Sequence, residues 1–332
     1  MTKFSIMITG MYPMDRFADW GRRIEEYGFD EIHIADDLIF RPAWPILTIL
    51  AMNTKRIKLG PAIVTPQVAH PVYHAANLCA LDELSGGRAI LGIGRGGFNN
   101  LLGVSEEKPV LKLKEAYLLM KRMLSGDRTP FSGTYFTALE ELYYQFDLPE
   151  RDIPMFIGTW GPMMAEMAGT IATGIKADCT WSPDYLKTLK ERLHKGASKV
   201  GRNPDDMELI VGPLTSVSRD RDAARDNVRG LLALLQPSLA PMTAAAGLSQ
   251  DGIQAAYDLF NAGDHEGAKR LVSDDSIRAF SATGTPRDII PQIEAIIDAG
   301  ATHIVFGPPL GPDFDEALHL LATEVVPHVR RL

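Results

Sequence analysis

The stretch Ala89-Ile90-Leu91-Gly92-Ile93-Gly94-Arg95-Gly96-Gly97 decides between two α/β architectures. Its apolar start reads as a short strand over 89–94, and Gly92 to Gly97 formally matches the G-x-G-x-x-G of a dinucleotide-binding fold. That fingerprint opens a helix, with an acid about 20 residues on, at the end of the next strand, to hold a ribose. Here Asn99-Asn100 follow the glycines and Glu115 falls inside a helical pattern, so a Rossmann nicotinamide site is rejected. The glycines read instead as a loop at the end of a barrel strand, set against a flat ligand ring.

Outward from this segment the chain alternates. Strand patterns at 4–9, 31–35, 57–65, 89–94, 154–158, 174–180, 207–217 and 302–306 are each followed by a helical pattern: 14–28, 44–52, 70–84, 108–124, 162–172, 184–200, 220–235 and 313–329. Strand-then-helix repetition implies a parallel sheet with helices outside, and eight units without a linker favour a (β/α)8 TIM barrel over a doubly wound sheet. We expect one domain over 1–332, with a mainly helical insertion at about 235–283 between the seventh and eighth strands.

Composition narrows the function. The 332 residues are 45% hydrophobic and 23% charged, as in globular proteins. Lys plus Arg number 34 against 42 Asp plus Glu, a formal charge of −8 without a block of five like charges, which disfavours a nucleic-acid partner. Cys79 and Cys179 form no metal-binding or disulfide pattern and read as buried free thiols. The opening residues lack a signal core and no run of 18 apolar residues occurs, so a cytoplasmic enzyme without membrane contact is expected.

In a barrel the site lies where the strands end. Asp36 and Asp37 follow the second strand and are the acid/base candidates, since neighbouring carboxylates raise each other's pKa. Side chains alternate on a strand, so one of the two faces the site, and a helix-capping Asp beside a solvated one is the structural alternative. Ala62, Ile63, Val64 and Thr65 end the third strand, and Gly94 and Arg95 the fourth. Glycines at these ends permit close approach to a ligand. Gly158-Thr159-Trp160-Gly161-Pro162 joins the fifth strand to a helix, whose N-terminal amides form a phosphate cradle with Thr159 as an added donor. His70 and His74 share a helix face without a third ligand, and His303 reads as a satisfied core histidine, so no metal site is expected.

Together these motifs resemble the bacterial luciferase-like flavin and deazaflavin oxidoreductase superfamily. The carrying residues are Leu81-Asp82-Glu83-Leu84-Ser85-Gly86-Gly87-Arg88 with Leu91-Gly92-Ile93-Gly94, then 157–169 and 306–313. Within it the chain is most similar to the branch using coenzyme F420, the methylenetetrahydromethanopterin reductases above all. The resemblance implies a deazaflavin over the C-terminal face, a non-prolyl cis peptide at Ala62-Ile63 beneath its ring, Asp36 near the ring, and Gly158, Thr159, Gly161 and Pro162 around the phosphate. It implies hydride transfer to or from a small organic substrate in a homodimer. The departures are Met7 and Gly97 where the reductases have acids, and Asp37 where other F420-dependent dehydrogenases have histidine. They imply a different substrate. An FMN-dependent monooxygenase of the same fold and a non-catalytic deazaflavin binder are the alternative readings.

Overall fold

The computed structural model describes residues 2–103 and 107–330. Eight parallel strands form its centre: β1 (Lys3–Thr9), β2 (Glu31–Ala35), β3 (Lys58–Pro61), β4 (Leu91–Gly94), β5 (Met155–Gly158), β6 (Gly174–Asp178), β7 (Glu208–Gly212) and β8 (His303–Phe306). Their order is β3-β2-β1-β8-β7-β6-β5-β4. Parallel bridges Leu59 to Ala89 and Val64 to Ile93 join β3 to β4 and close the ring. The expected barrel is therefore present.

Helices α1 (Arg16–Glu26), α2 (Ala43–Asn53), α3 (Pro71–Ser85), α4 (Pro109–Leu124), α5 (Pro162–Ile171) and α6 (Pro183–Lys199) follow the first six strands. Several starts are written in the sequence. Pro71, Pro109, Pro162 and Pro183 occupy first turns, where no N–H is needed. Ser182 caps α6 through its hydroxyl. Outward strand residues such as Ile6, Ile8, Ile32, Ile34, Leu91 and Ile157 pack with Phe17, Ile24, Leu47, Leu78 and Leu119 from the helices into the main core.

The seventh unit departs from the sequence reading. The segment read as one strand over 207–217 breaks at Pro213, which has no N–H to continue the ladder. Leu214–Val217 instead pairs with Ser281–Gly284 and Pro309–Leu310 in a separate parallel sheet. Helix α7 (Arg221–Leu235) goes with that sheet and with α8 (Ala240–Ala245), α9 (Gln250–Asn261), α10 (His265–Leu271) and α11 (Asp274–Phe280). These elements share a second core containing Leu214, Val228, Leu232, Met242, Val272 and Phe280. The helix preceding β8 is α12 (Pro286–Asp298), which the sequence reading passed over. Its signature was present: Thr285-Pro286-Arg287-Asp288 places Asp288 Oδ2 2.9 Å from the Thr285 N–H and 2.7 Å from its hydroxyl. After β8, α13 (Phe314–Leu320) begins at Asp313, whose Oδ1 accepts the Glu316 N–H. No described helix is long and apolar enough to cross a membrane.

Candidate active site

The two acids after β2 have different surroundings. Asp36 Oδ1 accepts the Ala43 N–H at 2.8 Å, at the start of α2, where the N-cap residue Pro42 supplies no acceptor. Asp36 thus caps a helix. The Asp37 carbonyl accepts the Phe40 N–H at 3.0 Å, while its carboxylate has no hydrogen-bond or salt-bridge partner among the described residues. It faces the β4 loop: a Cβ on Gly97 would stand 3.2 Å from Asp37 Oδ1. Burial, then the nearby Asp178 and Asp36 carboxylates, push the Asp37 carboxyl up to about 6, with Lys176 opposing. Of the two, Asp37 is the group placed to exchange a proton near neutral pH.

Lys176 and Asp178 were not singled out from the sequence. They stand two apart on β6 and so share a face. Lys176 is fully buried and pairs with the Asp178 carboxylate, while its Nζ lies 3.2 Å from Met7 Sδ on β1. Gly212, the register partner of Asp178 on β7, leaves the pair its room, since a Cβ there would come within 2.0 Å of Asp178 Oδ1. The signal was available: a lysine and an aspartate at i and i+2 inside an apolar strand seldom lie buried unless paired.

At the end of β3 the Ala62–Ile63 peptide is cis. The Ile63 side chain reaches over the neighbouring strands. A Cβ on Gly94 would stand 2.2 Å from Ile63 Cδ1, and one on Gly158 2.6 Å from Ile63 Cγ2. These glycines thus make room for Ile63. Thr65 is also committed locally. Its hydroxyl donates to the Arg95 carbonyl at 2.7 Å and accepts the Gln67 N–H at 3.2 Å. It ties the β3 end to the β4 loop, where Arg95 lies exposed on the rim.

Beyond β5, Thr159 Oγ1 accepts the Gly161 N–H at 2.9 Å, which leaves its own proton to donate. Pro162 opens α5, and no side chain caps that helix, so its first-turn amides remain open at the C-terminal end of the barrel. The indole of Trp160 donates to the Asp178 carbonyl and Tyr185 donates to the Trp160 carbonyl, which fixes the loop beside Asp178. The predicted residues thus gather on the ends of the adjoining strands β2, β3, β4 and β5.

The other candidates are spent elsewhere. His70 Nδ1 accepts the Val72 N–H at 3.3 Å as the cap of α3, and His74 Nε2 lies 3.0 Å from the Thr65 carbonyl. Cys79 is buried, but Cys179 is half-buried. Burial pushes the Cys79 thiol up to about 11 and raises that of Cys179, so neither is an activated nucleophile.

The fold is thus a closed parallel (β/α)8 barrel whose candidate residues stand at the C-terminal ends of its strands. A family model of luciferase-like monooxygenases matches residues 1–303, and the chain belongs to that family. It is 32% identical to a 5,10-methylenetetrahydromethanopterin reductase of Archaeoglobus fulgidus, over 92% of this chain and 93% of the relative. It is 27% identical to an F420-dependent glucose-6-phosphate dehydrogenase of Microbacterium testaceum, over 96% and 94% of the two chains. Among solved structures, the coenzyme F420-dependent tetrahydromethanopterin reductase of Methanopyrus kandleri superposes with a TM-score of 0.90 at 28% identity, covering 98% of this chain and 99% of that one.

Proposed function

We propose that this chain is an F420-dependent oxidoreductase that moves a hydride between the deazaflavin and a small organic substrate. The reading is carried by the full-length likeness to F420-dependent reductases, whose ring-floor and phosphate-loop motifs lie here on adjoining strands. The residues present fit the cofactor. Ala62 and Ile63 would floor the ring, with Gly94 and Gly158 leaving Ile63 its space. The open amides of α5, with Gly161 and Pro162 at its start and the Thr159 hydroxyl beside them, would hold the phosphate. Arg95 on the rim would meet the outer part of the ligand.

When bound, the deazaflavin supplies two-electron hydride chemistry. The protein supplies placement and the proton. Asp36 holds α2 against the end of β2. Asp37, on the Gly97 side, holds a proton that completes reduction of the substrate or receives the one released by its oxidation. The Lys176–Asp178 pair fixes the charge beside it. Met7 and Gly97 contribute no acid, so Asp37 carries the proton-exchanging role. The partner is a small molecule, with no nucleic acid or membrane, and the enzyme acts in the cytoplasm as a homodimer. The exposed Tyr73 and Leu142, which line one surface groove, offer a contact face.

Anaerobic oxidation of reduced F420 against a panel of electrophilic acceptors tests the reading. Turnover with at least one acceptor is expected, and D37N should lower kcat by about 10²–10⁴-fold. Unchanged kcat in D37N would remove the assigned acid.

A further inference from the structure

A second constellation lies inside the barrel toward its N-terminal end and has no part in the reading above. Glu31 and His33 project inward from β2 and His303 from β8, on either side of β1. All three are buried, at 4%, 0% and 0% exposure. One ligand-type oxygen or nitrogen from each lies within 4.8 Å of those of the others. His33 Nε2 is 3.0 Å from Glu31 Oε2, and His303 Nε2 is 2.7 Å from Ser5 Oγ on β1. The two rings meet edge to face at 5.7 Å, and Phe156 stacks on His33 at 5.6 Å.

The cluster is incompletely satisfied. Nδ1 of His33 and Nδ1 of His303 are both buried without a hydrogen-bond partner among the described residues. Each neutral imidazole has one N–H and one lone pair to place, and leaving a buried polar atom unpaired is unfavourable. A core histidine needs only a satisfied ring, whereas here two rings beside one carboxylate each keep a nitrogen unmatched.

We propose that Glu31, His33 and His303 form a binding site for a first-row divalent transition-metal ion of zinc's class, which bridges β2 and β8 across β1. Two imidazoles and a carboxylate form the mixed nitrogen and oxygen donor set that Zn2+, Co2+ and Ni2+ accept, while Mg2+ and Ca2+ prefer oxygen alone. The Ser5 hydroxyl stands at hand for a fourth position. Lys3 bridges Glu208 and the Oε1 atom of Glu31, the latter at 3.5 Å, which leaves Oε2 on the His33 side for an ion, and Lys176 pairs with Asp178. Lys3 is partly exposed and marks the N-terminal end of the barrel as the side of the cluster nearer solvent. Further along the same strands come the apolar Met7, Ala35 and Val305, so the ion is walled off from the C-terminal face and acts as a clamp on barrel closure.

The test is metal analysis of protein purified without chelator, followed by titration of the stripped protein with Zn2+ and with Co2+. We expect a single equivalent of tightly held metal, the intense visible bands of four-coordinate Co2+, and a raised thermal midpoint. E31Q and H303Q should each weaken Co2+ binding more than about tenfold, the least that loss of even a supporting residue costs such a site. H328A, which removes the surface His328 beside Glu294, should leave binding unchanged. The visible bands need no variant, so the test survives a variant that fails to fold. Wild-type protein that neither retains nor binds the metal, or H303Q that binds it equally well, would overturn the proposal.

Discussion

Asp36 and Asp37 are adjacent and chemically identical, yet the fold gives them different tasks. Asp36 is pinned to the Ala43 N–H, so D36A should lose a helix cap and about 1 kcal/mol by urea denaturation. Asp37 is raised to about 6, against roughly 3.9 in an unfolded chain. Between these values the folded state binds the extra proton, so stability falls as pH rises from about 4 to about 6. The cost is absent below the lower value and full above the upper one. D37N should therefore be more stable than wild type at pH 7.5, by on the order of 1–3 kcal/mol, and the gap should close near pH 4. Parallel urea curves across that range would contradict the assignment. The buried Lys176 provides a third case. K176M strands Asp178 and should cost about 3–5 kcal/mol, while K176M/D178L should recover much of it. The sequence showed that acids stand after β2. It did not show which one the helix would claim, because that depends on where α2 begins relative to the turn.

At the scale of elements, periodicity and proline placement made most units legible. Each of the first six helices buries one face against its strands, although in α2 and α3 apolar residues such as Met52, Tyr73 and Leu84 also lie outside that face. The seventh unit was not legible because two local patterns were correct and their partners were not. The helical pattern of α7 is real, but it packs on the second core, and a stripe does not say which core it serves. The strand run over 207–217 hides a break at Pro213 that only the pairing of Leu214–Val217 reveals. The glycines that end β4 and β5 have a role the local pattern does not show, since the Ile63 side chain fills the space a Cβ would need. G94A should accordingly cost about 1–3 kcal/mol through overpacking, and I63V in the same chain should recover part of it by removing the Cδ1 atom. Additive costs in a denaturation cycle would show that the two positions do not share space.

Across the whole molecule, a closed parallel ring brings the ends of β2 to β5 together at one face, although 122 positions separate Asp36 from Gly158. That convergence supports reading scattered short motifs as one site. It also explains why Lys176 and Asp178 escaped notice: they belong to the site only once β6 is placed beside β5 and β7. The central claim is that this face is built for a deazaflavin. Its most direct test is a parallel fluorescence titration of the protein with F420, reduced F420, FMN and reduced FMN. The account predicts tight binding of the deazaflavin in at least one redox state and weak binding of both flavins, with the deazaflavin affinity reduced in T159A. Preferential binding of FMN, or no deazaflavin binding in either state, would contradict it.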